Sequence, residues 1–320
     1  MIRFQRIPLH GIVVSVFCLG WNVQQCEAAA DDLKWIDGRL LPIEGRAFDD
    51  TERYYDRLPR NVTTNVNEGV RSLKHDTAGM QFRFVTDSDR IVLKWVPSSD
   101  QLASDNLVQA AKSGIDVYRQ DKNGTWLYHE TGRIKSADGA ELELDWVKGT
   151  PCLVNLPLYN GLKSFSLGIR PTASIKPLPP RKSGVLNPVV FYGTSITQGA
   201  SASRPGLSFV NIIGRQLDVP VVNLGFSASG VMELEMCEHL ARINASCYVL
   251  DCLWNMNKEM ILERYEKFVR NLRAKRPRVP IVMAEQSDVY GERRVWDNGF
   301  TRRLYDKLIG EGWDNLVYLP

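Results

Sequence analysis

The chain has 320 residues, of which 44% are hydrophobic, 24% charged and 9% aromatic. That is ordinary globular composition at a length suited to about two domains, and it excludes a collagen-like fibre, a coiled-coil rod and a disordered tail. Lys plus Arg number 40 against 37 Asp plus Glu, a net charge of only +3, with no basic stripe of the kind a nucleic-acid binder needs.

Residues 1–30 read as a secretory signal peptide. Arg3 and Arg6 give a positive start, and the apolar run from Gly11 to Trp21 is shorter than the about 20 residues that cross a bilayer. Ala28-Ala29-Ala30 offers the small residues of a cleavage site. A short membrane anchor is the alternative. Neither Cys18 nor Cys26 follows a lipid-attachment pattern, so the mature chain is expected to be secreted or periplasmic, with no stable membrane insertion. The remaining cysteines are Cys152, Cys237, Cys247 and Cys252. Cys247 and Cys252 fall within one predicted strand, Ser246 to Leu253, about 16 Å apart and on opposite faces, too far for a disulfide. Buried free thiols are expected, with a long-range bridge to Cys152 or Cys237 as the minority reading. No CxxC or HExxH occurs, so neither a metal site nor a cofactor is expected.

From 31 to 170 the sequence reads as strands and turns. Residues 81–85 and 90–95 alternate, and further short runs lie at 114–119, 125–129, 141–146 and 165–169. Turn material such as Lys122-Asn123-Gly124 and Ala137-Asp138-Gly139 separates them. This spacing predicts an antiparallel β-sandwich. Residues 171–187 hold Pro171, Pro177, Pro179 and Pro180 and read as an inter-domain linker.

From 188 to 320 the rhythm becomes strand, loop, helix. Val189-Val190-Phe191-Tyr192 is continuously apolar, as a strand buried on both faces is. Phe209, Ile212, Ile213 and Leu217 then recur at helical spacing. Strands follow at 221–224, 246–253, 280–284 and 316–319, with apolar helix stripes at Met232–Ile243, Ile261–Leu272 and Leu304–Leu308. Alternating strands and helices predict a parallel sheet in a three-layer α/β/α domain of flavodoxin-like style.

Ligands in such a sheet bind beyond the carboxyl ends of the strands. There the first strand delivers Gly193-Thr194-Ser195-Ile196-Thr197-Gln198-Gly199, the second Gly225-Phe226-Ser227-Ala228-Ser229-Gly230, and the third Asp251-Cys252-Leu253-Trp254-Asn255. A serine nucleophile needs donors aimed at a developing oxyanion, and backbone N–H groups plus an Asn amide supply them. A Gly-x-Ser-x-Gly elbow would need glycine at Thr197, and a phosphate loop would need lysine at Gly199, so neither applies.

These blocks resemble the SGNH (GDSL-type) esterase superfamily, in particular its subgroup with an N-terminal β-rich domain bearing a Gly-x-Asp-Leu-Tyr signature. Gly114-Ile115-Asp116-Val117-Tyr118 is similar to that signature with Val for Leu, and Asn155–Asn160 matches the subgroup's style. The resemblance spans about residues 40 to 320. It implies Ser195 as nucleophile, the Ala228 N–H (where glycine is usual) and the Asn255 amide as oxyanion donors, and no metal. It implies hydrolysis of small O-acyl esters, O-acetyl groups on carbohydrate first among them. An acyltransferase and an inactive binding-only relative are the rivals.

One departure matters. The family's Asp and His lie in a D-x-x-H segment after the last strand, whereas the residues three before His10, His75, His129 and His239 are Ile7, Ser72, Trp126 and Met236. The sequence given is therefore expected to be either a fragment or a chain without its base, and nearly inactive as written. Thr197 and Gln198 are expected to shape the loop. Asp251 reads equally as a loop-orienting or a structural carboxylate, and His239 as a helix-surface or core residue. Asp116 and Tyr118 read as either a sheet-edge packing pair or a ligand site. Arg293-Arg294 and Arg302-Arg303 read as solvated helix faces. Asn61, Asn123 and Asn244 head glycosylation sequons, which matter only in a eukaryotic source.

Overall fold

Period-two alternation and frequent turns build the N-terminal half as paired strands. A computed structural model describes residues 32–286 and 299–320; the expected leader and Arg293-Arg294 lie outside them. The strands are β1 (Lys34–Asp37), β2 (Ile43–Glu44), β3 (Gln81–Thr86), β4 (Arg90–Pro97), β5 (Ile115–Gln120), β6 (Trp126–Gly132), β7 (Ala140–Asp145), β8 (Pro151–Asn155), β9 (Leu162–Ile169) and β10 (Ile175–Pro177). They form two antiparallel sheets, ordered β1-β9-β4-β7 and β10-β3-β8-β5-β6, with β2 also on β3, and two short helices, α1 (Glu68–Leu73) and α2 (Gln109–Lys112), interrupt the strand succession. Phe82, Phe84, Val117 and Val154 of one sheet and Ile91, Leu93, Trp95 and Leu167 of the other belong to one buried cluster. Apolar burial of this kind is the main stabilising contribution of the half.

Two expectations change here. The Pro-rich 171–187 segment is not merely a linker, because Ile175–Pro177 pairs with β3; as an edge strand it tolerates Pro177. Asp116 and Tyr118 do not lie at a sheet edge, since β5 is enclosed by β8 and β6. Alternation also fails to mark β8, which is buried along nearly its whole length and so carries no polar face.

The C-terminal half has five parallel strands, β11 (Val189–Gly193), β12 (Val221–Gly225), β13 (Cys247–Asp251), β14 (Ile281–Ala284) and β15 (Leu316–Leu319), ordered β12-β11-β13-β14-β15. The whole is a mixed α/β fold with a parallel sheet. Val190 and Tyr192 face a core shared with helices Leu234–Arg242, Glu266–Lys275 and Phe300–Gly310. Phe191 and Val221 face Phe209, Val210 and Ile213 of the helix Phe209–Gln216 on the other side. Leu33–Pro320 forms a single compact unit. The stripe Ile261–Leu272 is not one regular helix: Ile261–Tyr265 is a π-turn leading into Glu266–Lys275. Strand β13 ends before Cys252, so Cys247 and Cys252 are not strand-mates as expected. All four described cysteines are free, and Cys247 is only half-buried. Among the described residues no helix is long and apolar enough to cross a membrane.

Candidate active site

Strand β11 ends at Gly193, and the chain turns at once into a one-turn helix, α3 (Ser195–Gln198). Thr194 caps it: its side chain accepts the Ile196 N–H, and Thr197 Oγ1 accepts the Thr194 N–H, each at 3.2 Å. Helix α3 closes at Gly199, whose φ of 114° is left-handed territory open to glycine. Ser195 is half-buried while Thr197 and Gln198 are fully buried. As the first helical residue, Ser195 has a backbone N–H with no partner inside the helix.

The neighbouring strands meet α3 at one level, because Gly193 pairs with Gly225 of β12 and with Asp251 of β13. Thr197 Oγ1 donates to Asp251 Oδ2 at 2.7 Å. Burial pushes the Asp251 carboxyl up to about 6, and the Thr197 bond opposes that rise. Asp251 thus ties α3 to the end of β13, an arrangement that fits both of its readings. Asn223 Nδ2 donates to Thr197 O at 2.7 Å, and Gln198 Oε1 accepts the Ser227 N–H at 3.0 Å. The turn after β12 is closed by Ser229 N–H and Gly230 N–H, which both donate to Phe226 O at 3.0 Å. Ala228 projects from it with φ 55°, exposed, and its N–H meets no acceptor among the described residues.

Asn255, closing the short 3-10 turn Leu253–Asn255, reaches the same turn. Its amide Nδ2 donates to Phe226 O at 3.2 Å and to Gly230 O at 3.5 Å. Ser195, Ala228 and Asn255 are therefore brought to one sheet edge, but the Asn255 amide is engaged with carbonyls of the Ala228 turn.

Three residues that sequence reasoning left out reach this edge from the N-terminal half. Tyr159 O–H donates to Ser195 O at 3.0 Å; its own hydroxyl is pushed up to about 12 by burial. Asp76 accepts Gln198 Nε2 at 2.7 Å, and burial outweighs the nearby Arg57 charge to raise its carboxyl to about 6. Arg57, fully buried, donates to Asn223 O at 3.2 Å and Gly225 O at 2.6 Å, and stands 4.5 Å over the Phe226 ring. Only Tyr159 carried a signal, through the Asn155–Asn160 block.

Among the described residues no group hydrogen-bonds Ser195 Oγ. His75 pairs with Asp56 at 2.8 Å, His129 packs on Trp146, and His239 is buried with its Nε2 3.6 Å from Glu235; His239 is thus a core histidine. Glu52, Asp56 and His75 have ligand atoms within 4.8 Å of one another. Lys74 Nζ already neutralises Glu52 at 3.0 Å, and the Arg53 N–H takes Asp56 Oδ2, so this cluster is internally satisfied.

A family model described as the GDSL-like lipase/acylhydrolase family matches residues 186–298, and one described as the N-terminus of SGNH-hydrolase-type esterases (GxDLY) matches residues 33–175. A Bacteroides ovatus protein described as a GDSL-like lipase is similar in structure, with a TM-score of 0.78 at 30% identity, covering 90% of this chain and 87% of its own. The chain belongs to the GDSL-like lipase/acylhydrolase family. More distant likenesses are of fold alone. The salicylyl-acyltransferase SsfX3 from a tetracycline biosynthetic pathway aligns at 18% identity and TM-score 0.70, covering 90% of this chain and 84% of its own. A family two carbohydrate esterase from Cellvibrio japonicus aligns at 14% identity and TM-score 0.55, covering 90% and 88%. No curated protein matches this GDSL-family chain in sequence.

Proposed function

We propose that the chain is a secreted or periplasmic serine esterase that removes small O-acyl groups, O-acetyl first among them, from carbohydrate. In this reading the two antiparallel sheets are a β-sandwich, and the 2-1-3-4-5 order of the parallel strands is flavodoxin-like. The observation that carries it is the convergence of Ser195, the unbonded Ala228 N–H and Asn255 at the carboxyl edge of β11, β12 and β13. Ser195 Oγ attacks the ester carbonyl, giving a tetrahedral oxyanion. The N–H groups of Ser195 and Ala228 receive it. Asn255 joins them by giving up its 3.5 Å contact to Gly230 O, the weaker of its two bonds. Each such donor lowers the barrier by about 2.7–4 kcal/mol. Collapse expels the alcohol and leaves an acyl-serine, which water then hydrolyses.

The D-x-x-H proton acceptor that the family resemblance implies for Ser195 Oγ is not among the described residues. Without the base, only about 10³–10⁴ over water remains from the oxyanion donors and binding. The test is p-nitrophenyl acetate hydrolysis by the full-length gene product beside Ser195→Ala. Ser195-dependent turnover is expected, and equal rates in the two proteins refute the assignment. Product transferred to an added alcohol in preference to water would favour an acyltransferase.

A further inference from the structure

Strand β5 presents Asp116 and Tyr118 toward the connection that leaves α3. The Asp116 carboxylate is fully buried. Both its oxygens accept the Gly206 N–H, at 2.9 and 3.0 Å, and Oδ2 also accepts Arg204 Nη1 at 3.0 Å. The same Arg204 Nη1 donates to the Tyr118 hydroxyl at 2.6 Å, and the guanidinium lies 4.0 Å over the Tyr128 ring. From the other side Arg215 stands 4.1 Å over the Tyr118 ring and donates through Nη2 to Gly206 O at 2.6 Å. The turn Pro205–Leu207 is thus held by its N–H, by its C=O and by a neighbouring cation.

Shape makes the fit specific. A Cβ on Gly206 would stand 2.5 Å from Tyr118 Cε2 and 2.8 Å from Asp116 Oδ2. A carboxylate this buried is tolerable only when its charge is paired and its lone pairs are filled, and the partners all come from residues 204–215. Residues 199–206 run without a break from α3. Ala200 N–H still donates to Ser195 O at 2.8 Å, and Ala202 N–H to Gly199 O at 3.2 Å. What fixes Gly206 therefore tethers the far end of the segment whose near end is Ser195.

We propose that the Gly114–Tyr118 motif is a receptor for the Arg204–Leu207 turn, and that Asp116 is a positioning residue that holds α3 and Ser195 at the depth acyl transfer requires. The positioning half rests on the reading of Ser195 as nucleophile; the receptor half does not. The conservative variant Asp116→Asn keeps an acceptor for the Gly206 N–H and loses the charge facing Arg204. Arg204→Met keeps the carboxylate–Gly206 bonds and removes the cation from a partly exposed side chain. Both are compared with wild type in the full-length protein by thermal melting, by amide hydrogen exchange of residues 199–208, and by kcat and KM for p-nitrophenyl acetate.

Exchange in 199–208 is expected to quicken roughly tenfold or more in Asp116→Asn while segments 189–193 and 247–251 keep their protection. A small misplacement of the nucleophile then lowers kcat roughly ten- to a hundredfold with KM within about twofold. Arg204→Met should fall between wild type and Asp116→Asn in both readouts. Unchanged exchange in 199–208 in both variants overturns the receptor. Unchanged kcat, or a loss no larger than the unfolded fraction seen on melting, overturns the positioning role. If wild-type turnover does not depend on Ser195, the nucleophile reading and the positioning role fail together, and exchange still decides the receptor.

Discussion

Asp76 and Gln198 meet at 2.7 Å, a half-buried carboxylate from the N-terminal half accepting the side-chain amide of the last residue of α3. The other end of that amide accepts the Ser227 N–H at 3.0 Å, one residue before Ala228. A single side chain therefore sets the distance between the helix that carries Ser195 and the turn that carries Ala228. Gln198→Leu takes a partner from three polar groups, the Asp76 carboxylate, the Leu158 carbonyl and the Ser227 N–H. It should cost about 2–4 kcal/mol of stability in urea unfolding and lower Ser195-dependent turnover. Arg57→Met strips the buried cation beside Asp76 and the donor to three carbonyls, those of Leu73, Asn223 and Gly225. Its loss should be larger, about 3–5 kcal/mol. A smaller loss than Gln198→Leu would contradict this account.

Ala228 holds a left-handed φ of 55°, where a Cβ is strained and glycine is not. Ala228→Gly is expected to raise unfolding stability by about 0.5–1 kcal/mol and leave kcat within about twofold, since the N–H is kept. A drop in stability would show that the alanine methyl contributes packing that outweighs its strain.

Backbone crowding under α3 predicts the opposite for Gly225. A Cβ there would lie 2.2 Å from Gln198 N and 2.6 Å from Thr197 C, backbone atoms that no rotamer change can move. Gly225→Ala should cost at least about 1–3 kcal/mol and displace α3 from β12. Circular dichroism melts check the first effect and p-nitrophenyl acetate turnover the second; wild-type values in both would refute the packing.

Burial raises the carboxyls of Asp76, Asp116 and Asp251 to about 6 from an ordinary 3.8. The folded protein therefore binds more protons than the unfolded chain between those pH values. By linkage, the contribution these groups make is greatest below the unfolded value and is lost as pH rises through about 6. Asp251→Asn removes one of them. The stability of this variant relative to wild type should climb between pH 4 and pH 7, by up to about 3 kcal/mol. A difference that stays flat across that range would show that Asp251 is not held in its neutral form.

The order of strands and helices, the parallel sheet and the three turns at its carboxyl edge were legible because they depend on local periodicity and on small residues at β-strand ends. Ser195, Ala228 and Asn255 could be placed at one edge for the same reason: parallel strands deliver their ends to a common level. Strands β8 and β10 were not legible. One is buried without a polar face, and the other carries the proline that breaks a sequence pattern yet is tolerated on an edge.

What only the tertiary structure decided is which groups hold that edge in place. Asp76, Arg57 and Tyr159 act across more than a hundred positions or a change of domain type, and no spacing rule relates them to Gln198, Gly225 or Ser195. Asp116 is one letter of a short motif in sequence; in space it is a buried charge whose cost is offset by a backbone N–H and a guanidinium from the other half. Local chemistry fixes which residues can react. The desolvation of charges between the two halves, which exists only once they pack, fixes where those residues stand.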